Sequence, residues 1–191
     1  MTMQKSEEAE IVKKVLGGDL EVYGAIIDKY EKKLLRFVML ISNASKEDAE
    51  DIVQDTFISA YQNLADFDTK MSFSAWIYKI ARNKAISWHR KNTSKKAGEK
   101  IELEEEVFLN LKDDAPSILE ELHAKTATDK LLEEIEQLNN KYKEVIILKY
   151  FEGKSYLEIA DILHIPPGSV ASMLYRAKAQ LKEKLKNAYE E

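Results

Sequence analysis

Apolar residues recur along this chain at helical spacing in one stretch after another. Ile11, Val12 and Val15 mark a short first helix, Glu7 to Leu16, which Gly17-Gly18 stops, and Asp19 is placed to cap the next. Tyr23, Ile26, Ile27, Tyr30, Leu34, Phe37, Val38 and Ile41 then stay in phase to about Ser42. Ser45 and Asp48 have capping-box spacing, with Asp in place of the usual Glu, and open a third helix to about Asn63. Its expected core face is Ala49, Ile52, Val53 and Phe57, with Ala60 or Tyr61. Beyond a polar connection from Leu64 to Ser72, Ser72 caps a fourth helix, Phe73 to about Lys91. There Phe73, Trp76, Ile77, Ile80 and Trp88 give the expected buried stripe.

The pattern lapses between Asn92 and Asp129, where only short pieces such as Val107 to Leu111 and Ile118 to Leu122 hold apolar clusters. It resumes at about Lys130 with Leu131, Leu132, Ile135 and Leu138, breaks at Asn139-Asn140, and continues through Tyr142, Val145, Ile146, Leu148, Tyr150 and Phe151 to Gly153. Ser155 and Glu158 form a capping-box pair that starts a short helix with Tyr156, Ile159, Ala160 and Leu163 on one face. His164 to Gly168, with two prolines, should stop it. Ser169 is expected to cap a longer helix whose apolar line is Val170, Leu174, Ala177, Leu181 and Leu185. No stretch shows sustained period-two alternation, so the fold class is all-α: two helical domains, residues 7–92 and 130–188, joined by a linker over 93–129.

A short helix, a tight turn and a longer helix with a polar outer side make a helix-turn-helix, whose second helix enters a major groove by its N-terminal half. From Ala171 to Lys186 there are five Lys or Arg against one acid, Glu183, which suits a phosphate backbone. The blander reading is two bundle helices joined by a proline-containing loop, with lysines outside for solubility. The net charge of −5 argues against a nucleic-acid binder until its distribution is examined. Lys79 to Lys100 carries eight Lys or Arg against Glu99 alone, whereas Ile101 to Leu122 carries eight acids against Lys112 alone. Such blocks imply separate surfaces.

The fourth helix carries Lys79, Arg82, Asn83, Arg90 and Lys91 as a band, with Tyr78, Ile86 and His89 beside it. Cations track phosphates and rings stack on unpaired bases, so the combination suits a single strand; a solvated amphipathic helix accounts for it equally. Asp48, Asp51, Gln54 and Asp55 crowd the first turns of the third helix, where carboxylates favour the dipole. There is no cysteine, so no disulfide or thiolate metal site, in keeping with a reducing cytoplasm. His89, His123 and His164 are scattered and no Gly-rich phosphate loop occurs, so no catalytic residue, metal or cofactor is expected. Met1 to Glu10 is too charged for a signal peptide, and no run is long enough for a membrane insertion.

With both halves placed, the chain resembles the bacterial sigma-70 family of RNA polymerase sigma factors, in particular its short extracytoplasmic-function (ECF) group. Asp48-Ala49-Glu50-Asp51-Ile52-Val53-Gln54-Asp55-Thr56-Phe57 resembles region 2.2, and Phe73-Ser74-Ala75-Trp76-Ile77-Tyr78-Lys79-Ile80-Ala81-Arg82-Asn83 resembles regions 2.3 and 2.4. Leu138 to Leu185, including Tyr150-Phe151-Glu152-Gly153-Lys154-Ser155 and Ile165-Pro166-Pro167-Gly168-Ser169-Val170, resembles region 4. No region 1.1 or region 3 is evident.

The resemblance implies a factor that binds core RNA polymerase through the β′ clamp and the β flap and directs promoter-specific initiation. Region 2 would melt and read the minus-10 element and region 4 would read the minus-35 element, with an anti-sigma factor as a further partner. By position, Asp48, Asp51, Gln54 and Asp55 fall where the family grips the clamp. Asn83 and the loop Phe67, Asp68, Thr69 and Lys70 fall where a flipped minus-10 base is held, with Lys79, Arg82, Arg90 and Lys91 as further minus-10 contacts. Ser169, Ser172, Tyr175, Arg176 and Lys178 are the corresponding minus-35 residues. Ala171 and Met173 stand where the family often has basic residues, and Asn139 where a proline is usual. Two other classes compete: an operator-binding regulator with a helical dimerisation or sensing domain, and a helical adaptor that binds only protein. The acidic linker has two readings as well, a spacer or a segment lying against the basic helix.

Overall fold

The structure, a computed structural model, describes residues 5–68, 71–92, 118 and 128–187. Thr69, Lys70 and almost all of the 93–127 segment, with the linker expectations, lie outside the described residues. Among those described there are eight α-helices, a 3-10 turn and a π-helical turn, and no strand. The chain divides into two compact units that meet in sequence at Ile101 and Glu102.

The first unit holds α1 (Lys5–Leu16), α2 (Leu20–Ser42), α3 (Lys46–Gln62) and α4 (Phe73–Asn92). The expected caps form: Asp19 accepts from the Val22 N–H at 3.4 Å, and the Ser72 hydroxyl accepts from the Ala75 N–H at 3.0 Å. Ser45 accepts from the Asp48 N–H at 3.2 Å, but Asp48 takes its bond from the Ser45 hydroxyl, at 2.7 Å. Its side chain is one methylene shorter than that of Glu, which leaves half a capping box. Asn43, left-handed at φ 53, ends α2 with its N–H on the Met39 carbonyl. α2, α3 and α4 pack on one another pairwise around Leu34, Phe37, Val38, Ile77 and Tyr78, all fully buried.

Two expectations about helix faces change. On α3 the core face runs through Thr56 and Ala60, and Tyr61 is exposed. On α4 the buried residues are Phe73, Ser74, Ala75, Ile77, Tyr78, Ala81 and Ala85, so Tyr78 is core rather than flank; its ring lies 5.0 Å from that of Phe37. The three alanines let the helices approach closely, and a large ring fills the space between. Trp76, Ile80 and Trp88, assigned to the stripe by period alone, are turned one step outward and only half-buried.

The second unit holds α5 (Thr128–Glu136), α6 (Asn140–Ile146), a π-helical turn (Ile147–Phe151), α7 (Tyr156–Leu163) and α8 (Pro167–Asn187). Asn139 caps α6 through Lys141 N–H, at 3.1 Å. Where one regular helix to Gly153 was expected, the chain widens. Val145, Ile146, Ile147 and Leu148 are all fully buried, so no side of this segment faces water and periodicity gives no warning of the change. The Glu152 N–H then reaches back to the Ile147 carbonyl and the Lys154 N–H to that of Leu148, around Gly153 at φ 60. The Ser155–Glu158 capping box is complete. α7 ends on His164, left-handed at φ 55, before the prolines are reached. α8 begins at Pro167 and not at Ser169, because proline fits a first helical position, where its missing N–H costs nothing. Its line Val170, Leu174, Ala177, Leu181 and Leu185 is buried throughout.

Candidate polymerase and nucleic-acid interface

α3 and α4 leave a groove of about 900 Å³ between their outer faces. One wall is α3, with Asp48, Asp51, Gln54 and Asp55 followed by Ile58 and Ser59. The other is α4, where Trp76, Ile80, Asn83, Ser87 and Lys91 recur at three- and four-residue steps and so share a face. The sequence reading treated the acidic residues and Asn83 as two surfaces; the structure brings them to opposite sides of one depression.

The acidic wall is held from beneath. Thr56 bonds the Ile52 carbonyl at 2.7 Å, and the Tyr23 hydroxyl donates to the Phe57 carbonyl at 2.5 Å with its ring edge-on to Tyr61, 5.2 Å away. Burial pushes the Tyr23 phenol up to about 12, a backbone hydrogen bond at Tyr61 pulling the other way, so it stays a neutral donor. Asp51, Gln54 and Asp55 stay exposed while Asp48 is half-buried.

The opposite wall is tied to the loop that precedes α4. The Phe67 ring lies 5.0 Å from Trp76 and 5.7 Å from Phe73, and Phe73 and Trp76 are 5.5 Å apart. This three-ring cluster fixes where the loop leaves the body, and its Trp76 member lines the groove with Asn83. Asp68 and Asn83 are exposed, so an amide carrying both donor and acceptor stands at the groove's edge. Thr69 and Lys70 lie outside the described residues. Of the basic band, Lys91 lines the groove, whereas Lys79, Arg82 and Arg90 do not. His89 is structural: its Nδ1 lies 3.0 Å from the Ser42 carbonyl, which can only accept, so the proton sits on Nδ1 and joins the ends of α4 and α2.

Ser59, Ser87, Lys84 and Ile58 line the groove without having been singled out in the sequence, and the last two bear on its chemistry. Lys84 crosses from α4 to Asp55, 3.8 Å away, and Ile58 is a large apolar side chain left 55% exposed. Ile58 falls out of phase with the α3 core stripe, a signal that was legible; nothing local marks Lys84.

In the second unit Ser172, Tyr175 and Arg176 share the outer face of α8, and Tyr175 is 74% exposed. The Ser172 hydroxyl donates to the Ser169 carbonyl at 2.9 Å, leaving its lone pairs outward. Ser169 sits inside the first turn and is half-buried. Lys178 is half-buried too; the helical period sets it one i,i+3 step from Tyr175 but well round from Ser172 and Arg176. No group of His, Cys, Asp or Glu among the described residues is placed to hold a metal ion, and no helix there is long and apolar enough to cross a membrane.

Two family matches fall on these two units. Residues 26–95 match Sigma-70 region 2 and residues 128–181 match Sigma-70 region 4. The ECF RNA polymerase sigma factor SigW of Bacillus subtilis is 32% identical over 92% of this chain and 95% of its own length. The chain belongs to the ECF group of the sigma-70 family. The ECF sigma-E factor of Haemophilus influenzae is 29% identical over 97% of this chain and 98% of its own. The fold is also that of CnrH, solved in complex with the cytosolic domain of CnrY: TM-score 0.69, 23% identity, 94% of this chain and 97% of that one. The sigma factor RpoE of Bartonella quintana, solved with the anti-sigma factor NepR, gives a TM-score of 0.62 at 24% identity over 86% of this chain and 96% of that one. As an ECF sigma factor the protein directs promoter-specific transcription initiation by core RNA polymerase, reading minus-35 DNA and melting and reading minus-10 DNA.

Proposed function

We propose that the α3–α4 groove divides the work of region 2 between its walls. Asp48, Asp51, Gln54 and Asp55 dock on basic helices of the β′ clamp, while Asn83, with the Phe67 to Lys70 loop, holds a minus-10 base swung out of the stack. Lys79, Arg82, Arg90 and Lys91 follow the phosphates of the opened strand. The observation that carries this reading is the groove itself: carboxylates on one side, and on the other an amide two helical turns along the same face from a ring cluster anchored to the loop. A flipped base is best held by an edge-reading group and a flat ring; the α4 wall has both in Asn83 and Trp76, whereas the α3 wall has the amide of Gln54 and the aliphatic Ile58 but no ring.

On α8, Ser172, Tyr175 and Arg176 read the minus-35 element, with Ser169 and Lys178 on its backbone. Residues 7–92 thus act as region 2, 130–188 as region 4 and 93–129 as their linker, with the β flap as the region 4 contact on polymerase. The protein is an initiation factor and not an enzyme, and it works in the cytoplasm. An anti-sigma factor is its regulatory partner; among solved structures of like fold, the sigma factor RpoE is held with the anti-sigma factor NepR, and CnrH with the cytosolic domain of CnrY. Reconstitution with core polymerase on a promoter library tests the whole. Initiation at a defined pair of elements only when the chain is present is expected. Duplex operator binding by the chain alone, without initiation, would instead match a regulator.

A further inference from the structure

α8 is 21 residues long, and its exposed readers sit in its first half. Something must fix how the helix is rolled and tilted, because the aliphatic line beneath it gives attraction without direction. In the second half of α8, Lys184 reaches α5 and the turn that follows it. Its Nζ lies 3.1 Å from Glu134 Oε2 and 3.2 Å from Gln137 Oε1. The other carboxylate oxygen of Glu134 is 3.2 Å from Lys130 Nζ. The Glu134 side chain is only 9% exposed, so both of its oxygens are committed inside the unit. Burial alone would raise this carboxyl, but the hydrogen bonds from Lys184 and Lys130 outweigh it and hold the group below the usual value.

We propose that Glu134 and Lys184 are positioning residues for minus-35 recognition, a two-point clasp that sets the orientation of α8 from its far end. Lys184 lies eight residues beyond Arg176, about 12 Å along the helix at 1.5 Å per residue. A small change of roll at the clasp therefore displaces the reading side chains without unpacking the core. The bond is directional on both sides, since the ammonium is shared between a carboxylate and an amide oxygen 50 and 47 residues away in sequence. Glu134 also has a second cation to keep it charged if Lys184 is lost, so removing the α8 end changes geometry more than it exposes an unpaired buried charge.

The inference rests on α8 being the minus-35 reader, and the test separates the two. Holoenzyme is assembled with Glu134→Gln, Lys184→Gln, Lys184→Arg and Arg176→Ala, and initiation is measured on promoters with a matched and a mismatched minus-35 element. The clasp variants should lower the matched-to-mismatched ratio at least threefold while core affinity stays unchanged, and Lys184→Arg should restore it. An unchanged ratio in folded Glu134→Gln and Lys184→Gln, or equal losses on both promoters, overturns the clasp if Arg176→Ala lowers initiation, whether in the ratio or on both promoters alike. If Arg176→Ala changes neither the ratio nor initiation on either promoter, the reading of α8 itself fails.

Discussion

The two DNA-facing parts of this molecule are built in opposite ways. The proposed readers of region 4 lie on one helix, so each is exposed by its own position on α8. The proposed region 2 site lies between two helices: Asp55 meets the wall of Trp76, Asn83 and Lys84 only when α3 and α4 pack, and Phe67 joins Trp76 through the loop before α4. A single-helix reader is modular, whereas a groove can give each wall its own step. Substitutions of the exposed α8 side chains should act one base or phosphate at a time, while those on the two groove walls should fall on core binding or on melting.

The largest effect is expected on the acidic wall. Asp51→Arg with Asp55→Arg places cations against basic clamp helices and beside Lys84, and should weaken core binding at least ~10-fold, given ~2 kcal/mol or more for close charge pairs. A pull-down with the circular dichroism spectrum unchanged checks it; unaltered core affinity would remove α3 from the interface. Next comes Asn83→Ala, which deletes an edge-reading amide and leaves the Tyr78 and Ala81 core face intact. Open complex on duplex promoter should fall roughly 10-fold, from the ~1–3 kcal/mol that an unpaired group costs. Permanganate footprinting would follow it, and a template with the minus-10 base already unpaired should restore the signal. Equal losses on both templates would place Asn83 in general affinity.

Smaller is Arg176→Ala. Lost base contact should cost about 1–3 kcal/mol at one position of the minus-35 element, whereas lost phosphate contact should weaken all sequences alike and lower the salt slope by about one. Competition binding at several salt concentrations distinguishes them. The smallest effect separates the units by pH. Tyr23 has a raised value, so its contribution to region 2 is complete below its ordinary 10 and is lost as pH climbs towards about 12. Glu134 has a lowered value, so its contribution to region 4 is complete above its ordinary 4.5 and is lost as pH falls through the lowered one. Both tryptophans, Trp76 and Trp88, lie in region 2. Their fluorescence in denaturant titrations should report the alkaline loss, and circular dichroism alone should see the acid one.

Much of this was legible in the pattern of residues, and what was not has identifiable causes. The α8 stripe was read residue for residue because its apolar positions are separated by polar ones, so only one face fits. On α4 the alanines blurred the count: they satisfy either face, and the two tryptophans pulled the expected stripe towards what is in fact the groove. Tyr78 was misplaced for the same reason. The π-helical turn was hidden by four consecutive buried residues. Pro167 was read as a stop although proline is also a helix starter. Asp51, Gln54, Asp55 and Asn83 are each singled out by the sequence, but that they line one groove depends on helix packing, which no local spacing states.

The proposed division of labour between the groove walls can be read by site-specific photocrosslinking in the assembled open complex. A photoreactive amino acid is placed at Gln54 on the α3 wall or at Asn83 on the α4 wall, and the crosslinked partner is identified in each case. Position 54 should capture the β′ subunit and position 83 the minus-10 strand. Capture of polymerase from both positions, with no DNA product from position 83, would contradict it.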